Sequence, residues 1–453
     1  MANKRLRAIY HRLPLRWRPP RGARKYRALN EESQWWPVER IQEHQLARLR
    51  GILTHARENV PYYTGLIRQA GIDPEGLKSL EDLRSLPILE KQVVRDKTRA
   101  LTADDWKRWK PVTHVTGGST GQRLAVLMGR AGYYAHLADQ MRHYDWAGYH
   151  FGDRLAMFTP HLQDFDRQEQ LFDFHRPRNT LFVNGRLFSQ ETLAAMTEAL
   201  ARFRPEAIIA SPSHLHLLCQ YLAEKGMGAI RPRALMTTSE MLYDFQREEI
   251  GRFFGTRVYD FYGMSEHAAG GAECEAGRYH MSLEYTVTEV LRPDGTPAQP
   301  GEMGEIIGTN LVNYAMPLIR YRTGDLGVPA EGPCPCGRTL PALERVSGRS
   351  QDLIVTPRGV TVFSSVRFSF HDIRTVKEVQ IVQEDVSRFR IRAAVADGYR
   401  PEHGQKMAQA LARGLGYEAT VTVEPVSHLA RTEQGKLRLV ECRVPLNTAS
   451  RSA

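Results

Sequence analysis

Residues 206–261 read EAIIASPSHLHLLCQYLAEKGMGAIRPRALMTTSEMLYDFQREEIGRFFGTRVYDF. Short apolar segments alternate here with amphipathic segments of roughly twelve residues, in the order 206–210, 213–225, 233–237, 243–253 and 256–261. Short apolar runs are typical of buried strands, whereas apolar positions that recur every three or four residues are typical of helices. Strands that alternate with helices predict an α/β fold in which the strands pair in parallel.

The flanking sequence extends this pattern in both directions. Upstream, it predicts strands at 112–116, 123–128 and 154–159, helices at 131–147 and 190–203, and a glycine-rich turn at 117–121. Downstream, residues 281–330 favour strands and turns, which indicates a β-rich part of the same large domain. Beyond Asp352, a block of about 100 residues predicts strand, helix, strand, strand, helix and strand, which is typical of a small α+β lobe.

The charge of the chain is unevenly distributed. The 453 residues carry a formal net charge of +11, yet ten basic residues lie between Lys4 and Arg27, and the first acidic residue is Glu31. This pattern predicts a basic N-terminal arm at residues 1–30 and a nearly neutral body, without the basic stripe of a nucleic-acid-binding surface. The arm could dock on an acidic surface of the chain, contact an anionic membrane peripherally or meet an acidic carrier protein.

The same composition bears on cellular location. No window of the sequence approaches the 18 apolar residues of a membrane span, and the N-terminus lacks the apolar core of a secretory signal. The five cysteines are an odd number and do not predict a disulfide framework. We therefore expect a cytoplasmic protein.

Four polar motifs stand between these segments. The first is Thr116-Gly117-Gly118-Ser119-Thr120-Gly121, whose amides and hydroxyls could wrap phosphate oxygens, although such runs are also common in hairpin turns. The second, Asp260-Phe261-Tyr262-Gly263-Met264-Ser265-Glu266, follows a predicted strand, where open α/β sheets bind ligands. The third ends at Asp325, whose carboxylate could hold ribose hydroxyls or form a surface ion pair. The fourth contains Lys436 and could equally be a charged loop.

The order and spacing of these motifs resemble the adenylate-forming (acyl-CoA synthetase) superfamily, most of all the branch that contains phenylacetate–CoA ligase and the CapK-type proteins. The resemblance extends from about Leu46 to Val444 and includes Val60-Pro61-Tyr62-Tyr63, Thr238-Ser239-Glu240 and the long run from Asn313 to Asp325. It implies a large adenylation domain of several subdomains at 31–349, a hinge at 350–353 and a mobile α+β lobe at 354–453.

The resemblance also implies roles for individual residues. The triphosphate of ATP would be bound by Thr116, Gly117, Gly118, Ser119, Thr120 and Gly121, and the adenine site would be lined by Ser239, Glu240, Asp260, Phe261, Tyr262 and Gly263. Ser265 would face the α-phosphate, Glu266 would hold Mg²⁺, Asp325 and Arg349 would bind the ribose or phosphate, and Lys436 would support adenylation. One departure is that Gln122, Arg123 and Leu124 follow the glycine-rich loop, where the family usually has a proline and often a lysine.

Three of the five cysteines and one histidine suggest a metal site. Cys334 and Cys336 flank one proline, and Cys274 and His280 lie across a short loop that contains a glycine. Three thiolates and one imidazole suit a closed, structural Zn²⁺ site, and some relatives in the resembled branch carry this set. The alternative is free cysteines on loops.

For the whole chain, the resemblance implies an AMP-forming acid–thiol ligase. A carboxylic acid, aryl or another small organic acid, would react with ATP to form acyl-AMP, and coenzyme A would accept the acyl group. An amine, a sugar amine or a carrier-protein thiol could be the acceptor instead, and a nucleotide-binding protein without catalysis is a third interpretation. The sequence names neither the acid nor the oligomeric state, for which a homodimer is one option.

Overall fold

The computed structural model describes residues 21–116, 124–159, 169–188, 190–228, 230–349, 353–357, 359–362, 370, 373, 375–431 and 437–444. The α-helices in these residues are α1 (Arg24–Ser33), α2 (Val38–Asn59), α3 (Pro61–Gln69), α4 (Lys91–Asp96), α5 (Thr98–Leu101), α6 (Arg130–Trp146), α7 (Gln190–Phe203), α8 (Pro212–Glu224), α9 (Asp244–Phe254) and α10 (Pro401–Leu415). Short 3₁₀ turns lie at Arg21–Ala23, Leu80–Ser85, Trp106–Trp109, Arg176–Arg178 and Gly185–Leu187.

The strands fall into four sheets. Those of the large domain are β1 (Val112–Thr116), β2 (Leu124–Met128), β3 (Leu155–Thr159), β4 (Phe172–His175), β5 (Thr180–Asn184), β6 (Ala207–Ala210), β7 (Ala234–Thr238), β8 (Val258–Gly263), β9 (Gly270–Glu273), β10 (Tyr279–Met281), β11 (Thr286–Leu291), β12 (Gly304–Asn310), β13 (Tyr321–Pro329) and β14 (Ala342–Arg349). Those of the C-terminal part are β15 (Leu353–Thr356), β16 (Gly359–Val362), β17 (Val376–Asp385), β18 (Arg388–Val395), β19 (Thr420–Val426) and β20 (Val440–Cys442).

Twelve strands form the central sheet, in the order β11-β12-β13-β14-β10-β9-β8-β7-β6-β3-β5-β4. Strands β5, β3, β6, β7 and β8 pair in parallel, and the alternation of apolar and amphipathic segments predicts all of them except β5. Strand β9 then pairs with β8 in the antiparallel direction, and the remaining strands continue antiparallel. The predicted α/β fold is confirmed, and the predicted β-rich part continues the same sheet.

Helices α7, α8 and α9 cover one face of the parallel strands. Leu215 and Leu218 of α8 and Ile250 of α9 are fully buried in a cluster that also contains Ile208 of β6 and Leu235 of β7. Burial of such a side chain contributes on the order of 1.5–3 kcal/mol, so this apolar face holds the helices on the sheet. Because β5, β3, β6, β7 and β8 pair in parallel, their carboxyl ends all lie at the same edge of the sheet.

The C-terminal part begins with a hairpin. Residues 359–362 form β16, antiparallel to β15, so a second strand follows the first directly. The helix predicted between the first two strands would fall within residues 363–375, most of which lie outside the described part. Beyond this hairpin, a four-stranded sheet of order β19-β18-β17-β20 packs against α10 through Met407 and Leu411.

The N-terminal boundary predicted at residue 30 falls inside a helix. Helix α1 runs from Arg24 to Ser33, and Tyr26 and Asn30 are buried against the large domain. The Tyr26 ring packs edge-on against Tyr285 at 5.9 Å between centroids. Residues 21–30 therefore belong to the folded body, because burial of the Tyr26 side chain stabilises the packed position of the helix. Residues 1–20 lie outside the described part.

A buried ion network fastens α1 to the sheet. Arg142 of α6, about 4% exposed, donates to Asp139 at 2.7 Å and to Glu284 at 3.2 Å, and Ser33 of α1 donates to the same Glu284. Because Arg142, Asp139 and Glu284 are paired, each avoids the desolvation cost of several kcal/mol that a buried charge without a partner incurs.

Among the described helices, none is both long and apolar enough to cross a bilayer.

Candidate functional site

The predicted adenine residues meet at the carboxyl edge of the parallel strands. Thr238, the last residue of β7, pairs with Phe261 of β8, so the loops that begin at Ser239 and Met264 lie side by side. In open α/β sheets this edge is where ligands bind. The second and third predicted motifs meet here, because Tyr262 OH donates to Asp325 Oδ2 at 2.9 Å.

Glu266 is a buried carboxylate with two partners on one oxygen. Its Oε1 accepts hydrogen bonds from Lys91 Nζ at 3.1 Å and from Tyr321 OH at 2.9 Å. Lys91 begins α4, which is held beside β13 by the hydrogen bond from Leu89 N to Arg320 O. Sequence analysis did not single out Lys91, because this contact depends on a bridge between segments more than 200 residues apart.

The side chain of Asp325 is oriented by a hydrogen bond from Tyr262. Its Oδ2 accepts from Tyr262 OH at 2.9 Å, and its backbone N–H donates to Thr323 Oγ1 at 3.0 Å. Burial raises the pKa of Tyr262, so its hydroxyl remains a donor. The Cα of Asp325 pairs with that of Arg349 across β13 and β14, which brings the backbones of two predicted nucleotide-binding residues together.

The side chain of Asp260 is engaged inside the sheet. Its carboxylate accepts from Thr237 Oγ1 at 2.6 Å and from Tyr279 OH at 2.8 Å, while its backbone N–H donates to Glu273. Burial, together with the nearby Glu273 carboxylate, raises the pKa of Asp260 to about 6. A role for this residue in the adenine site is therefore confined to its backbone.

Glu240 joins the large domain to the C-terminal lobe. One of its oxygens accepts from the backbone N–H of Ser213, at the start of α8, and the other accepts from that of Leu437, both at 3.2 Å. Leu437 also forms an antiparallel bridge with Arg431, which contacts Glu378 of the lobe and Ser213. The residue that follows Lys436 is thereby held at the edge where β7 ends.

Backbone strain is found in the same region. Six described non-glycine residues have a positive φ, and three of them, Ser239, His267 and Arg320, belong to or adjoin the predicted motifs. Such conformations cost on the order of 1–3 kcal/mol and persist where the surrounding structure fixes them. The site loops are therefore held in unusual conformations by their neighbours.

A recess opens beneath the loop that carries Ser265 and Glu266. The empty space of the recess, counted together with the open solvent at its mouth, is roughly 420 Å³. Its walls come from α6, from the end of β8 and from the antiparallel strands, and they include Gly132, His136, Asp139, Phe261, Gly263, Met264, His267, Ser282, Thr286 and Asn310. A small acid in this recess would lie next to the residues predicted to face the α-phosphate.

The four predicted zinc ligands form one cluster. Their ligand atoms all lie within 4.8 Å of one another. Cys274 Sγ is 3.5 Å from Cys334 Sγ, and His280 Nε2 is 3.2 Å from Cys336 Sγ, close to the separation of about 3.8 Å between sulfurs around tetrahedral Zn²⁺. His280 Nδ1 donates to Leu340 O at 2.8 Å, which leaves Nε2 to face the cysteines as a ligand. The donor set fits a structural zinc ion.

Several predicted residues lie outside the described part of the structure. These are Gly117, Gly118, Ser119, Thr120 and Gly121 of the glycine-rich loop, and Lys436. Thr116 and Arg349 are described only as backbone in β1 and β14. Their predicted roles therefore stay predictions.

Comparison with known proteins places the chain among ligases. Residues 354–442 match the family description of the CapK C-terminal domain. The chain is 31% identical over 357 residues to phenylacetate-coenzyme A ligase of Escherichia coli, covering 72% of this chain and 75% of that protein. It is 26% identical over 450 residues to the enzyme of the same name from Thermus thermophilus, covering 90% of this chain and 98% of that protein.

A solved structure shares the fold. The crystal structure of 2-hydroxyisobutyryl-CoA ligase in the postadenylation state, in complex with 2-HIB-AMP, matches with a TM-score of 0.73 and 21% identity, covering 90% of this chain and 92% of that one. The likeness extends over both the large domain and the C-terminal lobe. The resemblance inferred from the order of the motifs is confirmed.

Proposed function

Since the chain belongs to the phenylacetate-coenzyme A ligase family, we propose that it activates a small carboxylic acid with ATP as acyl-AMP and transfers the acyl group to coenzyme A. The observation that carries the proposal is the meeting of Glu266, Asp325 and the Ser239–Glu240 turn at one edge of the sheet, beside the recess. The acid, ATP and coenzyme A are the substrates.

The first step joins the acid to the α-phosphorus of ATP. A carboxylate oxygen forms the new P–O bond, the bond from that phosphorus to the bridging oxygen breaks, and pyrophosphate leaves. Two anions must approach each other, so catalysis consists of positioning and charge neutralisation. In the second step the thiol sulfur attacks the acyl carbon, and AMP departs.

The residues divide this work by position. Asp325, oriented by Tyr262, would hold the ribose hydroxyls, and Ser265 would face the α-phosphate. Glu266 presents an Oε2 with no hydrogen-bond partner among the described residues, which suits a metal ligand, and Lys91 adds a cation beside it. Bound Mg²⁺ would neutralise charge on the phosphates. Lys436 would reach the reacting atoms from the C-terminal lobe.

A second acceptor class is the alternative to coenzyme A. Residues 354–442 match the CapK C-terminal domain, a family description that does not name coenzyme A. An amine, a sugar amine or a carrier-protein thiol is the alternative acceptor of the same acyl-AMP. The alternative shares the first step and departs from the proposal only in the second.

Acid-dependent release of AMP tests the proposal. A panel of aryl and short aliphatic acids is incubated with ATP and Mg²⁺, alone, with coenzyme A or with an amine, and pyrophosphate, AMP and thioester are measured. We expect acid-dependent pyrophosphate with at least one acid, and equal amounts of AMP and thioester when coenzyme A is present. AMP release only with the amine would favour the alternative acceptors, and no acid-dependent pyrophosphate with any acid would refute the proposal.

Removing the Asp325 carboxylate should weaken nucleotide binding in particular. Asp325→Ala is expected to raise the KM for ATP roughly 10- to 100-fold, because hydrogen bonds to a charged group contribute about 1.5–3 kcal/mol. The KM for the acid should change much less. Steady-state kinetics with each substrate varied in turn give both values.

Asp397→Ala, in an exposed turn of the C-terminal lobe, is the matched control and should leave both KM values unchanged. Equal increases in the two KM values for Asp325→Ala would contradict a ribose-binding role.

A further inference from the structure

The recess contains two imidazoles without hydrogen-bond partners. His136 of α6 and His267, which follows Glu266, both line it and are both half-buried, with ring centroids 4.0 Å apart. Neither ring forms a hydrogen bond within the described residues. His114, two residues before Thr116, packs edge-on against His267 at 4.9 Å. A row of three histidines thus runs from the base of the glycine-rich loop into the recess.

The other polar groups of the recess already have partners. Asp139 accepts from Arg142 and Ser282, Asn310 donates to His267 O and accepts from Val312 N, and Thr286 donates to the carbonyl of Ser282. The unused hydrogen-bonding capacity is therefore concentrated on His136 and His267. A ligand that offers these two rings a hydrogen-bond partner is therefore favoured over one that does not.

The rings are also held in place. His267 adopts a left-handed backbone conformation, with φ +52°, and its carbonyl is fixed by Asn310. Burial lowers the pKa of His136 to about 4, so the ring is neutral near pH 7 and can both donate and accept. A charged second carboxylate would have to lose its hydration without gaining a cation there. An uncharged hydroxyl or amide group would be accommodated without that penalty.

From this geometry we propose that the acid activated by this protein carries an uncharged hydrogen-bonding substituent, a hydroxyl or an amide, and that His136 and His267 select it. The proposal rests on the function proposed above, because it assigns the recess to the acyl part of the substrate. Phe261 and Gly263 provide an apolar wall for the carbon skeleton, and the two histidines select the polar substituent on that skeleton. They act on specificity and take no part in bond making.

Matched pairs of acids test this selection. Phenylacetate is compared with its hydroxy- and carbamoyl-ring derivatives, and propionate with lactate, by the kcat/KM for AMP release. We expect the polar member of the preferred pair to exceed its plain partner roughly 10- to 100-fold, because a site built for a hydroxyl rejects the analogue that lacks it. Plain acids used equally well or better would overturn this inference while leaving the proposed function intact. No AMP release with any acid would instead refute the proposed function.

Variants assign the preference to the imidazole. His136→Phe keeps a planar aromatic ring and removes both nitrogens, so the preference for the polar acid should fall to within about threefold. Activation of the plain acid by this variant shows that it folds. His136→Gln, which restores a donor and an acceptor, should recover part of the preference. His150→Phe, on an exposed histidine beyond the end of α6, is the control. An unchanged preference in His136→Phe overturns the assignment, and if that variant does not fold, the wild-type comparison decides.

Discussion

Replacing Lys436 by alanine is expected to slow acyl-AMP formation roughly 100- to 1000-fold and to leave the transfer step almost unchanged. The physical reason is that a positioned cation stabilises charge that develops only in the first transition state. The neighbouring residue Leu437 lies near the end of β7, because its backbone N–H donates to Glu240. The two half-reactions are measured separately, as acid-dependent pyrophosphate release and as thioester formation from supplied acyl-AMP.

The same experiment contains its own control. Lys406→Ala removes an exposed lysine of α10 in the same lobe and should leave both rates unchanged. Equal losses in the two half-reactions for Lys436→Ala would contradict the assignment, since they would point to a general role in folding or lobe position. A loss in neither step would exclude Lys436 from the site.

Removal of the proposed zinc ion is expected to have the next largest effect. We expect about one zinc ion per chain in protein purified without chelators, and Cys336→Ser should abolish that content and lower Tm by at least about 5 °C. The ion would join the β9–β10 hairpin to the loop between β13 and β14. Elemental analysis and thermal unfolding measure the two quantities.

A second cysteine variant separates zinc loss from general damage. Cys442→Ser changes a thiol in β20 whose contacts, to Gln383 and Val444 O, a hydroxyl can also make. It should retain zinc and nearly the wild-type Tm. Well under one zinc ion per chain in the wild type, or an unchanged zinc content in Cys336→Ser, would contradict the site.

Four of the five parallel strands, β3, β6, β7 and β8, could be predicted because their signal is local, whereas β5, which is also parallel and buried, was not predicted. The apolar run from Ala207 to Ala210 and that from Ala234 to Thr238 are buried along nearly their whole length, so composition alone identifies them. Strand β4 was missed because it lies at the edge of the sheet, where Phe172 and Phe174 stay exposed and no buried run forms. Helix α1 was assigned to a charged arm because its buried contacts come from Tyr285 and Glu284, far along the chain.

The residues of the candidate site likewise divide into those with a local sequence signal and those that depend on tertiary packing. Asp325 and Glu266 belong to motifs that could be recognised from their sequence neighbours, whereas Lys91 and His136 reach the site only through tertiary packing. Hydrogen bonds from Thr237 and Tyr279 hold the carboxylate of Asp260 inside the sheet, a contact that its motif does not indicate. Short motifs thus indicated which edge of the sheet carries the candidate site, but the residues packed around them required the fold.

Transfer of oxygen from the acid to AMP tests the central claim most directly. The acid found by the panel is labelled with ¹⁸O in both carboxylate oxygens and incubated with ATP, Mg²⁺ and coenzyme A, and the products are analysed by mass spectrometry. Attack of the carboxylate on the α-phosphorus predicts one ¹⁸O in each AMP, one in the thioester and none in pyrophosphate. Label in inorganic phosphate alongside ADP, or AMP without label, would contradict activation through acyl-AMP.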